Sequence, residues 1–110
     1  MQDGSDAALR DKLRAEIMAA SWSELVYQFA RGGLLVLAPG LDLLEVATAI
    51  ALDAREQVSD WVASNALWRA NEDDARRFQA DSALTFQFVI VQPWVLAQPL
   101  HARAATSRES

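Results

Sequence analysis

The stretch "DLLEVATAIALDAREQVSDWVASNALWRA", residues 42–70, decides how the chain is read. Leu43, Val46, Ala47 and Ile50 follow Asp42 at the spacing of one helical face. Val58, Trp61 and Val62 do the same behind Asp53, and Asn65 is a residue that tolerates the left-handed conformation of a helix stop. Asp42 with Glu45, and Asp53 with Glu56, have the i, i+3 spacing of a helix N-cap and its reciprocal partner. Two short helices in tandem, then the strand-like "LWRA" (67–70), outline a helix-turn-helix running into a wing.

Working outward, the expected elements fit that outline. Leu9, Leu13 and Ile17 predict an opening helix over about 6–19. "SWSE" at 21–24 reads as a capping box that starts a second helix, with Trp22, Leu25 and Phe29 on one face and Gly32-Gly33 at its end. "LLVLA" (34–38) is short, apolar and bounded by Gly-Gly and Pro-Gly, which predicts a buried strand. "NEDDARRFQAD" reads as a small polar helix capped by Asn71 and anchored by Phe78. In "TFQFVIVQPWVLAQP", Phe86, Phe88 and Ile90 alternate with Gln87, Val89 and Val91, predicting a strand over 85–92 covered on both faces. Pro93 has no N–H for a ladder, so pairing is expected to falter there. The expected fold class is α+β: a single winged-helix-like domain over 1–98, its helices packed on a small three-stranded antiparallel sheet with 85–92 between the other two strands. Residues 99–110, small and polar, are expected to form a disordered tail.

"WSEL" at 22–25, Pro39 with "LDL" at 41–43, "EVA" at 45–47, Trp61 and "QPWVL" at 92–96 together resemble an uncharacterised bacterial family, domain of unknown function 2288. The resemblance covers about residues 9–98, with Asn65 standing where the family is expected to carry glycine. It implies a small soluble bacterial protein and brings no activity, ligand or catalytic residue with it.

Composition narrows the functional classes. The chain has 110 residues, 52% of them hydrophobic, with no cysteine and a net charge of −5. Without cysteine there is no disulfide framework, thiolate metal site or thiol nucleophile. The polar, acidic "MQDGSDAALRDK" lacks the order of a secretory signal, and "LLVLAPGLDLL" is broken by Pro39, Gly40 and Asp42, so a cytoplasmic protein with no membrane span is expected. The acids at helix starts are read as caps that favour the positive end of the helix dipole, not as metal ligands or acid–base pairs. His101, the single histidine, falls in the expected tail, and no serine lies in a G-x-S-x-G elbow. No enzyme, no metal and no cofactor are expected.

The fourth helix bears on the partner. A DNA-reading second helix presents cations and amides to the groove. Here the outward positions include Arg55, Glu56, Gln57, Ser59 and Asp60, and residues 55–66 sum to −1 (Arg55 against Glu56 and Asp60). Arg69, Arg76 and Arg77 of the would-be wing face Glu72, Asp73, Asp74 and Asp81. The leading expectation is therefore a non-catalytic protein-interaction module that self-associates, with Trp94, Arg55, Gln57, Ser59 and Asp60 as its contact residues. Trp94, just past Pro93, fits either an interface or the core. The alternatives are a dimeric DNA-binding winged-helix regulator, gripping phosphates through Arg10 and Arg14 or through the wing arginines, and a small-molecule binding domain with a pocket between sheet and helices. Phosphate contacts supply most nonspecific affinity. An electrophoretic shift assay on mixed genomic fragments at low salt is thus expected to show no complex; a salt-sensitive complex would reinstate the DNA reading.

Overall fold

A computed structural model describes residues 2–100, with side chains from residue 7 onward. The element order is α1 (Gln2–Glu16), β1 (Met18–Ser21), α2 (Trp22–Ala30), β2 (Leu34–Leu37), α3 (Leu43–Ala51), α4 (Arg55–Ala63), β3 (Leu67–Arg69), α5 (Glu72–Ala80), β4 (Thr85–Val91) and β5 (Trp94–Leu100). The strands form one mixed five-stranded sheet in the order β1-β4-β5-β2-β3. The β2–β5 pair is parallel and the other three are antiparallel.

Alternation along β4 and β5 divides the interior into two. Val89, Val91 and Leu96 share one core with Leu13, Leu43, Val46 and Leu67, beneath α1, α3 and α4. Phe86, Val95 and Ala97 share the other with Trp22, Leu25 and Phe78, beneath α2 and α5. The second core is aromatic at its centre: Trp22 lies 5.4 Å from Phe78 by ring centroid, and Phe78 meets Phe86 edge-on at 5.0 Å. Helices on both faces explain why β4 is apolar on both sides.

The α+β class stands, but the three-stranded antiparallel sheet is replaced by this larger mixed one. The residues at 34–38 and 85–92 do not pair, so the expected winged-helix pairing is absent: β5 lies between them. The cause is at Gln92-Pro93. These residues, joined by a cis peptide bond, form the turn of a tight hairpin in which Val91 pairs with Trp94. Proline sits in the turn, where no ladder donor is required, and the chain returns as a full strand. Pro99 lies beyond Ala97, the last β5 residue paired with β2, so β5 tolerates it. The sheet continues through Pro99 and Leu100, two residues the sequence reading gave to the tail; His101 and the rest of that tail lie outside the described residues. The second missed strand is β1. "MAAS" has fair helix propensity, but α1 stops at Glu16 and Met18–Ser21 pair with Phe88–Thr85 instead.

Three helices end alike. After α2, α3 and α4 a residue with positive φ follows the cap: Gly32 at 80°, Asp53 at 58° and Asn65 at 63°. In each, that residue and the next donate their N–H groups back into the last turn, as Asn65 to Val62 and Ala66 to Trp61. Asn65 and Gly32 are the stops read from the sequence. Asp53 is a correction: it closes α3 rather than capping α4, whose N-cap is Ala54. Ser21 occupies the N-cap of α2 without a side-chain cap bond, its hydroxyl pairing with that of Ser23 at 2.9 Å. Asp42 and Asn71 do cap, and Asn71 forms a full capping box with Asp74.

Gln98, 4% exposed on β5, joins the sheet to the loop before α3. Its Nε2 donates to the carbonyls of Ala38 (2.7 Å) and Leu41, and its Oε1 accepts from Gln87 Nε2 at 2.7 Å. Gln98→Leu removes the donor while keeping most of the volume, leaving the Leu41 carbonyl and the Gln87 amide without this partner. A loss of about 2 kcal/mol in chemical denaturation is expected. A loss below about 0.5 kcal/mol would mean that this loop does not depend on Gln98.

Candidate functional site

α4 is the loosest of the helices over the first core. None of its residues is fully buried; Val58 and Trp61 hold it by half-buried contacts. Its register follows from Asp53, whose left-handed turn swings the chain out of α3 and across the β3 edge of the sheet. Between α4 and that edge a cleft of about 510 Å³ remains. Leu35 of β2 and Leu67 of β3 lie at its base, Ile50, Val58 and Val62 form the helical side, and Trp94 supplies an indole; Trp68 borders the cleft too, but its side chain packs against the second core. Its charged lining groups are Asp53, Arg55 and Arg69.

Strand register brings Trp94 and Arg69 together. Leu35 pairs with Arg69, and Leu34 with Val95, which sets Trp94 beside Leu35 and Arg69 at this end of the sheet. The Arg69 guanidinium carbon lies 5.5 Å from the Trp94 ring centroid, a cation–π contact. Across the mouth, Arg55 Nε donates to Asp53 at 3.3 Å; both side chains are largely exposed, so the pair contributes little to stability.

Trp68 is fixed from behind. Its Nε1 donates to Asp74 Oδ2 at 2.9 Å, and the same oxygen accepts the Asn71 backbone N–H at 3.0 Å. Asp74 is 3% exposed and also accepts from Arg77. The box that starts α5 therefore also orients the Trp68 indole against the second core.

Of the residues singled out in the sequence, Trp94, Arg55 and Ser59 line the cleft. Gln57 does not; its amide reaches Glu45 at 3.5 Å. Asp60 lies on the outer surface of α4, beside Arg55, Glu56 and Ser59. The cations of the DNA reading are scattered: Arg14 pairs with Asp11, Arg76 with Asp73 and Arg77 with Asp74, while Arg69 joins the cleft. Leu35, Ile50 and Leu67 were missed as site residues. Val58 and Val62, read as the buried face of α4, in fact border open space. The i, i+4 pair Val58/Val62 was the available signal; the approach of Arg69 to Trp94 had none, since it depends on a parallel pairing. Among the described residues, no group of three or more His, Asp or Glu side chains is placed to hold a metal ion, and no helix is long and apolar enough to cross a membrane.

The architecture is that of a small α+β domain with helices on both faces of a mixed sheet and an apolar cleft at one sheet edge. The chain belongs to the family described as "Protein of unknown function (DUF2288)", which matches residues 8–99. It is similar to PA1075 from Pseudomonas aeruginosa, known from an NMR solution structure: 43% identity, a TM-score of 0.73, and 83% of each chain covered. No curated protein matches it.

Replacing Asp74 with alanine removes the acceptor for Trp68 Nε1 and opens the α5 capping box. Asp74→Ala is expected to cost about 2 kcal/mol. In Trp68→Phe, by contrast, the capping box has no reason to change, so far-UV circular dichroism is expected to match the parent. A Trp68→Phe spectrum showing lost helix would mean that the indole, rather than the box, holds α5.

Proposed function

We propose that the chain is a non-catalytic binding domain whose cleft takes the apolar body of a small molecule. The observation that carries this reading is the cleft itself. Its volume of about 510 Å³ falls within the range of about 300–1,000 Å³ usual for small-molecule sites. Its lining combines aliphatic side chains and the Trp94 indole with a few polar groups at the rim, which is the composition such sites share.

This raises the small-molecule alternative above self-association. A protein partner or a second copy on the same surface remains the second reading. Leu52, beside Asp53, and Val62, in the cleft lining, are each about half exposed, and apolar area of that kind favours docking. Sedimentation over a concentration series distinguishes it: the small-molecule reading expects a monomer. The DNA regulator has less in its favour, because three of its candidate cations already lie against carboxylates.

Octanol is a suitable neutral probe. Titration is expected to change the tryptophan emission, since Trp94 lines the cleft, and to raise the melting temperature. Saturation at ten times the Kd contributes about 1.4 kcal/mol. Val58→Glu places a charge at the helical wall and is expected to abolish both effects. Unchanged octanol binding in Val58→Glu would place the ligand elsewhere and refute the cleft reading.

A further inference from the structure

We propose that the ligand of this cleft is an organic acid, with its carboxylate held by Arg69 and its apolar body between α4 and the sheet. The inference rests on the cleft reading above and adds the chemistry of the ligand's head group.

Charge at the mouth carries the argument. The lining holds Arg55, Arg69 and Asp53, a sum of +1, on a chain whose net charge is −5. Arg55 and Asp53 pair with each other. Arg69 has no carboxylate partner among the described residues; its contact is the face of Trp94. A cation–π contact leaves the five N–H donors of the guanidinium available to an acceptor while keeping the group beside the cleft. A planar fork held at one edge of an apolar cleft matches a carboxylate, which accepts two parallel N–H bonds, better than a hydroxyl or an amine. An ammonium ligand would meet the net positive rim. A neutral ligand would leave the Arg69 donors to water.

Position adds a second constraint. Arg69 sits on the last residue of edge strand β3, opposite Leu35, where its head group stays exposed while the cleft floor next to it is apolar. A ligand must therefore carry its charge at one end. An aliphatic or aromatic monocarboxylate has that shape; a compact polyanion does not.

The test compares octanoate, octanol and octylammonium by calorimetry at neutral pH. Octanoate is expected to bind about tenfold more tightly than octanol, the value of one charge-assisted hydrogen bond, and octylammonium more weakly than either. Arg69→Gln is expected to bring octanoate down to the affinity of octanol while leaving octanol unchanged. Equal binding of octanoate and octanol to the parent protein would overturn this inference alone and leave the apolar cleft standing. Equal weakening of both ligands in Arg69→Gln would also overturn it, because Arg69 would then act only by supporting Trp94. If neither ligand binds, the cleft reading and this inference fall together.

Discussion

β5 is enclosed from every side, and the rest of the molecule is arranged around that fact. β4 bonds to one of its edges and β2 to the other, while the two hydrophobic cores cover its faces. All residues from Val95 to Pro99 are buried. A backbone so far from water must find its hydrogen-bond partners within the protein. Two ladders supply most of them. Gln98, the polar side chain of the strand, turns its amide to the loop carbonyls before α3 and to Gln87. The position of α3, and through it of α4 and the cleft, follows from where this strand lies.

Asp42, Asp53 and Asp74 are placed by backbone geometry, each in a different way. Asp42 accepts the free N–H groups of Leu44 and Glu45, as negative charge at a helix start favours. Asp53 ends a helix instead, because Asp is among the few residues with a side chain that visit left-handed angles at modest cost. Asp74 has gone inside, where its carboxylate accepts from Trp68, Asn71 and Arg77 and its own N–H donates to Asn71. The same residue type thus starts one helix, stops another and braces a tryptophan.

Much of this was legible. The periodicity of "LDLLEVATAI" fixed α3, the two-sided apolar pattern of 85–91 marked a strand covered on both faces, and Gly32 and Asn65 marked helix ends. Where local signals are weak, tertiary pairing decided. "MAAS" has no strand signature and becomes one only because β4 offers an open edge. "WVLAQPL" was obscured by Pro93 and Pro99, which are compatible with a strand only when the turn and the extent of β2 pairing are known. Losing these two strands turned a five-stranded sheet into a three-stranded one and made a winged helix the natural reading. The site suffered likewise. Trp94 stood out as fitting either an interface or the core, and Arg55 and Ser59 as outward positions of α4. Arg69 was assigned to phosphate because nothing in the sequence brings it near Trp94; that proximity exists only through the register of β3, β2 and β5.

The innermost strand is also the one synthesised after the other four. A ribosome adds about 5–20 residues per second. Until Trp94–Leu100 has emerged, β2 and β4 have no common neighbour, and each leaves one edge and much apolar area without cover. Assembly of the sheet is therefore concentrated in a late step that joins distant parts of the chain, a slow kind of closure during which nascent copies are prone to pair with one another. The arrangement that gives the finished domain its enclosed centre makes its birth the moment of greatest exposure.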